Sequence, residues 1–132
     1  MDNRLKVLVV DDSKVMRGII RKMLSSDAAE VVEACDGRQA LDVLAGQSVD
    51  CIISDWNMPR MKGIDLLRRV RSDAALAHTP FVMVTAEAMA SNLAEADAAN
   101  VSSYLTKPFT ADDLWSTLRR VLPDHRAIAR SA

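Results

Sequence analysis

Five side chains dispersed along the 132 residues could act together: Asp11, Asp12, Asp55, Thr85 and Lys107. They sit at the ends of short apolar runs that read as buried strands: Leu5 to Val10 (LKVLVV), Cys51 to Ser54 (CIIS), Phe81 to Val84 (FVMV) and Ser103 to Thr106 (SYLT). Parallel sheets place their sites at the carboxyl ends of the strands, so residues far apart in the chain would converge in one cleft. Three carboxylates, a hydroxyl and an ammonium are suited to holding a divalent metal beside a phosphoryl group.

Each residue alone has a plainer explanation. The Asp11-Asp12 pair could simply cap the following helix. Asp55 could be a turn residue, a view that Asn57 and Pro59 support. Lys107 alone reads as a solvated surface charge, and Thr85 alone says nothing. What favours chemistry is their joint placement at four strand ends, together with the repulsion between adjacent carboxylates that a metal would relieve.

The elements that must position them alternate along the chain. After the first strand, Val15, Met16, Ile19, Ile20, Met23 and Leu24 recur at helical spacing, with Ser13 as N-cap. A second strand is read at Val31 to Cys35 and a helix from about Gly37 to Leu44. A third helix carries Ile64, Leu67 and Val70, a fourth runs from about Ala88 to Ala98, and a fifth holds Leu114, Trp115, Leu118 and Leu122. Five strands alternating with five helices predict an α/β fold, a doubly wound parallel sheet with helices on both faces. The fourth helix offers little large apolar area and should be the least firmly held. Asn100 stands where that helix should stop, in a left-handed cap. Beyond Pro123 the tail, residues 123–132, should fray.

Composition narrows the classes further. A chain with 49% hydrophobic and 27% charged residues suits one domain, and a net charge of -1 gives no general attraction to nucleic acid or anionic lipid. No apolar stretch approaches the roughly 18 residues of a membrane span, and MDNRLKV lacks a signal-peptide core, so a cytoplasmic protein is expected. Cys35 and Cys51 read as buried reduced thiols. The four glycines form neither a phosphate loop nor a dinucleotide fingerprint, so side chains, a metal and loop amides must hold any phosphoryl group. His78 and His125 have no partner at ligand spacing, and no Ser-His-Asp triad fits the strand ends.

From VLVVDDS through ISDWNMPRMKG and VTAEA to SYLTKPFT, the chain resembles the response-regulator receiver domains, and among them the single-domain chemotaxis type. The resemblance implies a flavodoxin-like sheet of order 2-1-3-4-5 and a receiver domain over residues 1–122. It implies Asp55 as phosphoacceptor from a histidine kinase or histidine phosphotransfer protein. It implies Mg²⁺ bound by Asp12, Asp55 and the backbone carbonyl of Asn57, with Asp11 acting through water. Lys107 would neutralise a phosphoryl oxygen, with a cis bond to Pro108. Thr85 and Tyr104 would form the switch, and Asn57 and Glu87 would modulate the phosphoryl lifetime. Trp56, next to Asp55, is expected at the rim of the cleft. A flagellar switch protein and a phosphatase are further expected partners.

Two positions depart from the common pattern. Ser102 and Ser103 stand where a glycine or small residue is usual, so that loop should be stiffer. Lys62 replaces an acidic residue, making the surface beside the site more basic. Three function classes follow. A signalling switch in chemotaxis, with a phosphorelay carrier or phosphate sink as its alternative, is not an enzyme acting on an external substrate. A haloacid-dehalogenase-like phosphatase would need an acid where Asn57 stands. A transcription factor would need more than the roughly ten residues that follow the last helix.

Overall fold

The computed structural model describes residues 4–24, 29–86 and 90–125. The strands are β1 (Leu5–Val10), β2 (Ala29–Ala34), β3 (Cys51–Asp55), β4 (Phe81–Thr85) and β5 (Ser103–Thr106). They alternate with α1 (Lys14–Met23), α2 (Gly37–Gly46), α3 (Gly63–Ser72), α4 (Ala90–Ala98) and α5 (Ala111–Val121). All pairings are parallel, as the alternation of strands and helices predicts, and the order is 2-1-3-4-5, as the resemblance implies.

Alternation along the strands builds two cores. Leu5, Val7 and Val9 of β1 point to one face, where they meet Ile20 and Leu24 at the end of α1 and Leu114 and Leu118 of α5. Leu8 and Val10 point to the other, with Ala40, Leu66, Leu67 and Val70 of α2 and α3 and Ala96 of α4. Burying each such Leu, Ile or Val contributes roughly 1.5–3 kcal/mol, and truncating one to alanine costs about 2–5 kcal/mol.

Register decides where the strands end. Val10 lies beside Ala34 and Ser54, Asp55 beside Val84, and Thr85 beside Thr106. Asp11, Asp55, Thr85 and Lys107 are therefore brought to one edge of the sheet by backbone pairing. Local signals agree. Ser13 Oγ accepts the Met16 N–H at 3.2 Å to start α1, and Thr110 and Asp113 form a reciprocal capping box on α5.

Asn100 adopts φ 63° after α4. Its N–H donates to the Asp97 carbonyl at 3.0 Å, and the Val101 N–H donates to Ala96 at 3.1 Å, a Schellman closure. Within residues 92–98 of α4 the fully buried side chain is Ala96, consistent with a weakly packed helix.

Two expectations, on Cys35 and Trp56, need correction. Cys35 is half-buried and lies beyond β2, because its N–H is taken by Gln39 Oε1 at 2.6 Å instead of the ladder. Cys51 is buried, and desolvation pushes its thiol up to about 12. The apolar stripe of α1 is wider than its buried face, leaving Val15 75% and Ile19 42% exposed. Trp56 is buried among the α3-side core residues and does not line a rim. Glu87, the expected start of the fourth helix at Ala88 and Met89, and residues 126–132 of the tail lie outside the described residues.

Candidate functional site

Asp11, Asp12 and Asp55 each offer a carboxylate oxygen within 4.8 Å of the others. Asp11 is buried, Asp55 is nearly so, and Asp12 is exposed at the mouth. Lys107 reaches in from the end of β5, with Nζ 3.2 Å from Asp55 Oδ1 and 3.9 Å from Asp11 Oδ2. One ammonium against three carboxylates leaves a surplus of negative charge.

The two deeper carboxyls are both raised, by burial first, with the surplus adding to it. Burial raises the affinity of Asp55 for a proton, with Asp12 adding to it, and Lys107 only partly opposes the effect. Asp11 is raised by burial first and by Asp55 and Asp12 besides, against a bond from the Ser13 N–H at 2.8 Å. Hard oxygen donors with excess negative charge in a small cleft fit a divalent cation such as Mg²⁺.

The backbone around the cluster is tightly specified. The Trp56 N–H donates to Val84 at 2.8 Å and the Lys107 N–H to Thr85 at 2.8 Å, continuing the ladder past the strand ends. The Lys107-Pro108 bond is cis. Thr85 is buried at the end of β4, and Asn57 is exposed on the loop two residues after Asp55. Tyr104 is half-buried, and its hydroxyl donates to Asp97 Oδ1 of α4 at 3.5 Å.

Three residues outside the sequence reading also shape the site. Gly63 begins α3, where an added Cβ would overlap the Asp55 carbonyl oxygen and lie 2.9 Å from Met83 Sδ. Its N–H donates to the Trp56 carbonyl at 2.9 Å, so α3 starts directly against the phosphoacceptor candidate's backbone. A glycine at a strand-to-helix turn was the visible signal.

Arg17 Nη1 donates to the Asp11 carbonyl at 2.6 Å and its Nε to Glu33 Oε1 at 2.9 Å. Arg71 donates to the carbonyls of Ala77, Thr79 and Asn100 and to Ser102 Oγ, which itself accepts the Phe81 N–H at 2.9 Å. Ser102 thus ties the turn before β5 to β4. No spacing rule announces either arginine.

A five-stranded parallel sheet with a carboxylate cluster, a threonine and a lysine at its carboxyl edge defines a receiver-type protein. The chain matches the response regulator receiver domain family over residues 7–119 and belongs to that family. It is 45% identical over 118 residues to the chemotaxis protein CheY of Pseudomonas aeruginosa, covering 89% of this chain and 95% of that protein. The structure of Vibrio cholerae CheY4 superposes with a TM-score of 0.86 at 39% identity, covering 90% of this chain and 99% of that one. The receiver domain of a Pseudomonas aeruginosa sensor histidine kinase is 28% identical with a TM-score of 0.83, covering 92% of this chain and 99% of its own. It was solved with a magnesium ion coordinated in its active site cleft.

The fold, the family and the CheY-like character follow. Among the described residues, no helix is long and apolar enough to cross a membrane.

Proposed function

We propose that this protein is a phosphorylation-activated switch of a two-component system. In this reading it takes a phosphoryl group from a histidine kinase or histidine phosphotransfer protein onto Asp55 and acts in chemotactic control of the flagellar motor. The observation that carries it is Lys107 Nζ at 3.2 Å from Asp55 Oδ1 inside a three-carboxylate cluster. The chemotaxis assignment draws on the extent and identity of the match to proteins named CheY.

Asp12, Asp55 and the Asn57 carbonyl would hold Mg²⁺, with Asp11 acting through water. When bound, the ion supplies neutralisation of the charge shared by carboxylates and phosphoryl oxygens. An Asp55 carboxylate oxygen attacks phosphorus in line, the phosphorus–nitrogen bond of phosphohistidine breaks, and the imidazole leaves with that electron pair and takes a proton. Lys107 stabilises an oxygen of the resulting acyl phosphate. Thr85 then donates its hydroxyl to the phosphoryl group, and Tyr104 follows, changing the face of α4, β5 and α5 that a flagellar switch protein or phosphatase would read. Asn57 and Glu87 set how long the modification lasts. The protein acts catalytically only on its own aspartyl group, and a cytoplasmic setting suits such partners.

Acetyl phosphate with Mg²⁺ should add one phosphoryl mass to the wild type and none to Asp55→Asn in intact-mass spectra. The same gain in Asp55→Asn would overturn the assignment. Thr85→Ala should still be modified yet lose the response at α4 and Tyr104, a coupling of roughly 1–3 kcal/mol. NMR shifts induced by beryllofluoride that are equal in the wild type and Thr85→Ala would remove the hydroxyl from the switch. No shift in either would favour a phosphate sink.

A further inference from the structure

We infer that Arg17 is a positioning residue for the acidic cluster, holding the peptide between Asp11 and Asp12 so that their carboxylates address one cation. The inference rests on reading that cluster as a divalent-cation site. Asp11 is pinned from several sides. Its N–H donates to Ala34 on β2 at 3.1 Å, and its Oδ1 accepts the Ser13 N–H at 2.8 Å. Its carbonyl accepts Arg17 Nη1 at 2.6 Å, the shortest of these bonds. That carbonyl shares one rigid plane with the Asp12 N–H, so a bond to it also sets the direction in which Asp12 leaves the strand.

The guanidinium is itself held. Arg17 Nε donates to Glu33 Oε1 at 2.9 Å, while the other oxygen of Glu33 takes Arg21 at 2.7 Å. Only 15% of the Arg17 side chain is exposed. Glu33 also offsets the positive charge of Arg17, which therefore organises the cluster without competing with a bound cation as strongly as a bare charge would. Lys107 differs, since its ammonium meets the carboxylates directly. A planar fork that serves a carboxylate and a carbonyl together is a task lysine cannot copy.

The test is a calorimetric Mg²⁺ titration of the full chain, paired with amide exchange in the metal-free protein. Arg17→Met and Arg17→Lys should each weaken Mg²⁺ binding by about 10-fold, the lower end of what partners of metal ligands contribute. Amide exchange should quicken at Asp12 and Ser13 while α5 keeps its protection. Glu33→Gln, which leaves the carbonyl bond in place but loosens its anchor, should show the same pattern more weakly. Wild-type affinity in Arg17→Met would overturn the proposal. Full rescue by Arg17→Lys would overturn it too, reducing the role to charge. Faster exchange spread evenly over the protein would reassign Arg17 to general stability. If wild type and Asp12→Ala alike bind no Mg²⁺, the metal-site reading falls and takes this inference with it.

Discussion

Asp36 and Asp11 lie at the same end of the sheet and are equally covered, at 3% and 2% exposure, yet their carboxyls are shifted in opposite directions. Asp36 caps α2, accepting the Gln39 N–H at 2.8 Å and Arg60 Nη1 at 3.1 Å, and these partners hold it below the ordinary carboxylate range. Burial acts the other way on Asp36, but the Gln39 N–H outweighs it and the exposed Arg60 adds to the lowering. Asp11 lies deeper, beside Asp55 and Asp12, and burial among like charges raises it. Covered area does not set the direction of the shift. What covers the group does.

The carboxylates therefore divide into a structural set with its own cations and a set that leaves charge unmatched. Unmatched charge destabilises the metal-free fold, and a protein keeps such a feature when a ligand balances it.

The largest expected contrast is in the response to metal. Mg²⁺ at one hundred times its dissociation constant should stabilise the wild type by about 2.7 kcal/mol and alter Trp56 fluorescence from beneath the cleft. Asp12→Ala should lose both effects, whereas Asp36→Asn should keep them. Trp115, whose Nε1 donates to the Met23 carbonyl at 3.0 Å, supplies a constant background. An unchanged titration in Asp12→Ala would place the metal elsewhere and erase the division.

Next in size are the unfolding midpoints without metal. Asp36→Ala removes a helix cap and should cost about 1–2 kcal/mol. Asp55→Asn relieves repulsion and should raise the midpoint. If both substitutions destabilise the metal-free protein, the cluster is a structural network like the other.

The smallest effect is in pH dependence, with the sign opposite for the two sets. Asp11 and Asp55, being raised, contribute stability that is present below the unfolded carboxylate pKa, about 3.9, and is lost as pH rises through their folded values. Asp36 and Glu33, being lowered, contribute stability present above their unfolded values and lost as pH falls through the folded ones. The advantage of metal-free Asp55→Asn over wild type should thus be greatest at neutral pH and shrink on acidification. The penalty of Asp36→Ala should persist until more acidic conditions. Denaturant melts between neutral and acidic pH would separate the two trends, and parallel curves would contradict the division.

The arginines differ in kind from the residues that the sequence announced. Asp55 is visible because a buried apolar run ends on it, and Asn100 because a helix must stop there. Arg71 occupies one polar position among several on α3, yet it joins the loop before β4 to the turn after α4. Its partners lie between 6 and 31 residues away, beyond any local pattern. The exposure of Val15 and Ile19 was hidden for a related reason. Helical spacing shows that residues share a face, but only the positions of β1 and α5 decide how much of that face is covered.

Taken alone, the sequence determined the alternation of five strands and five helices, the strand-end placement of Asp11, Asp12, Asp55, Thr85 and Lys107, and the caps at Ser13 and Asn100. These follow from periodicity and local backbone chemistry, which act over a few residues. Tertiary structure decided the rest: which carboxylate acquired a cation, that Trp56 turned into the core, that α3 had to begin with Gly63, and that Arg17 reached the Asp11 carbonyl. Those outcomes depend on long-range packing and on a local dielectric set by every neighbour at once, and neither quantity exists until the chain has folded.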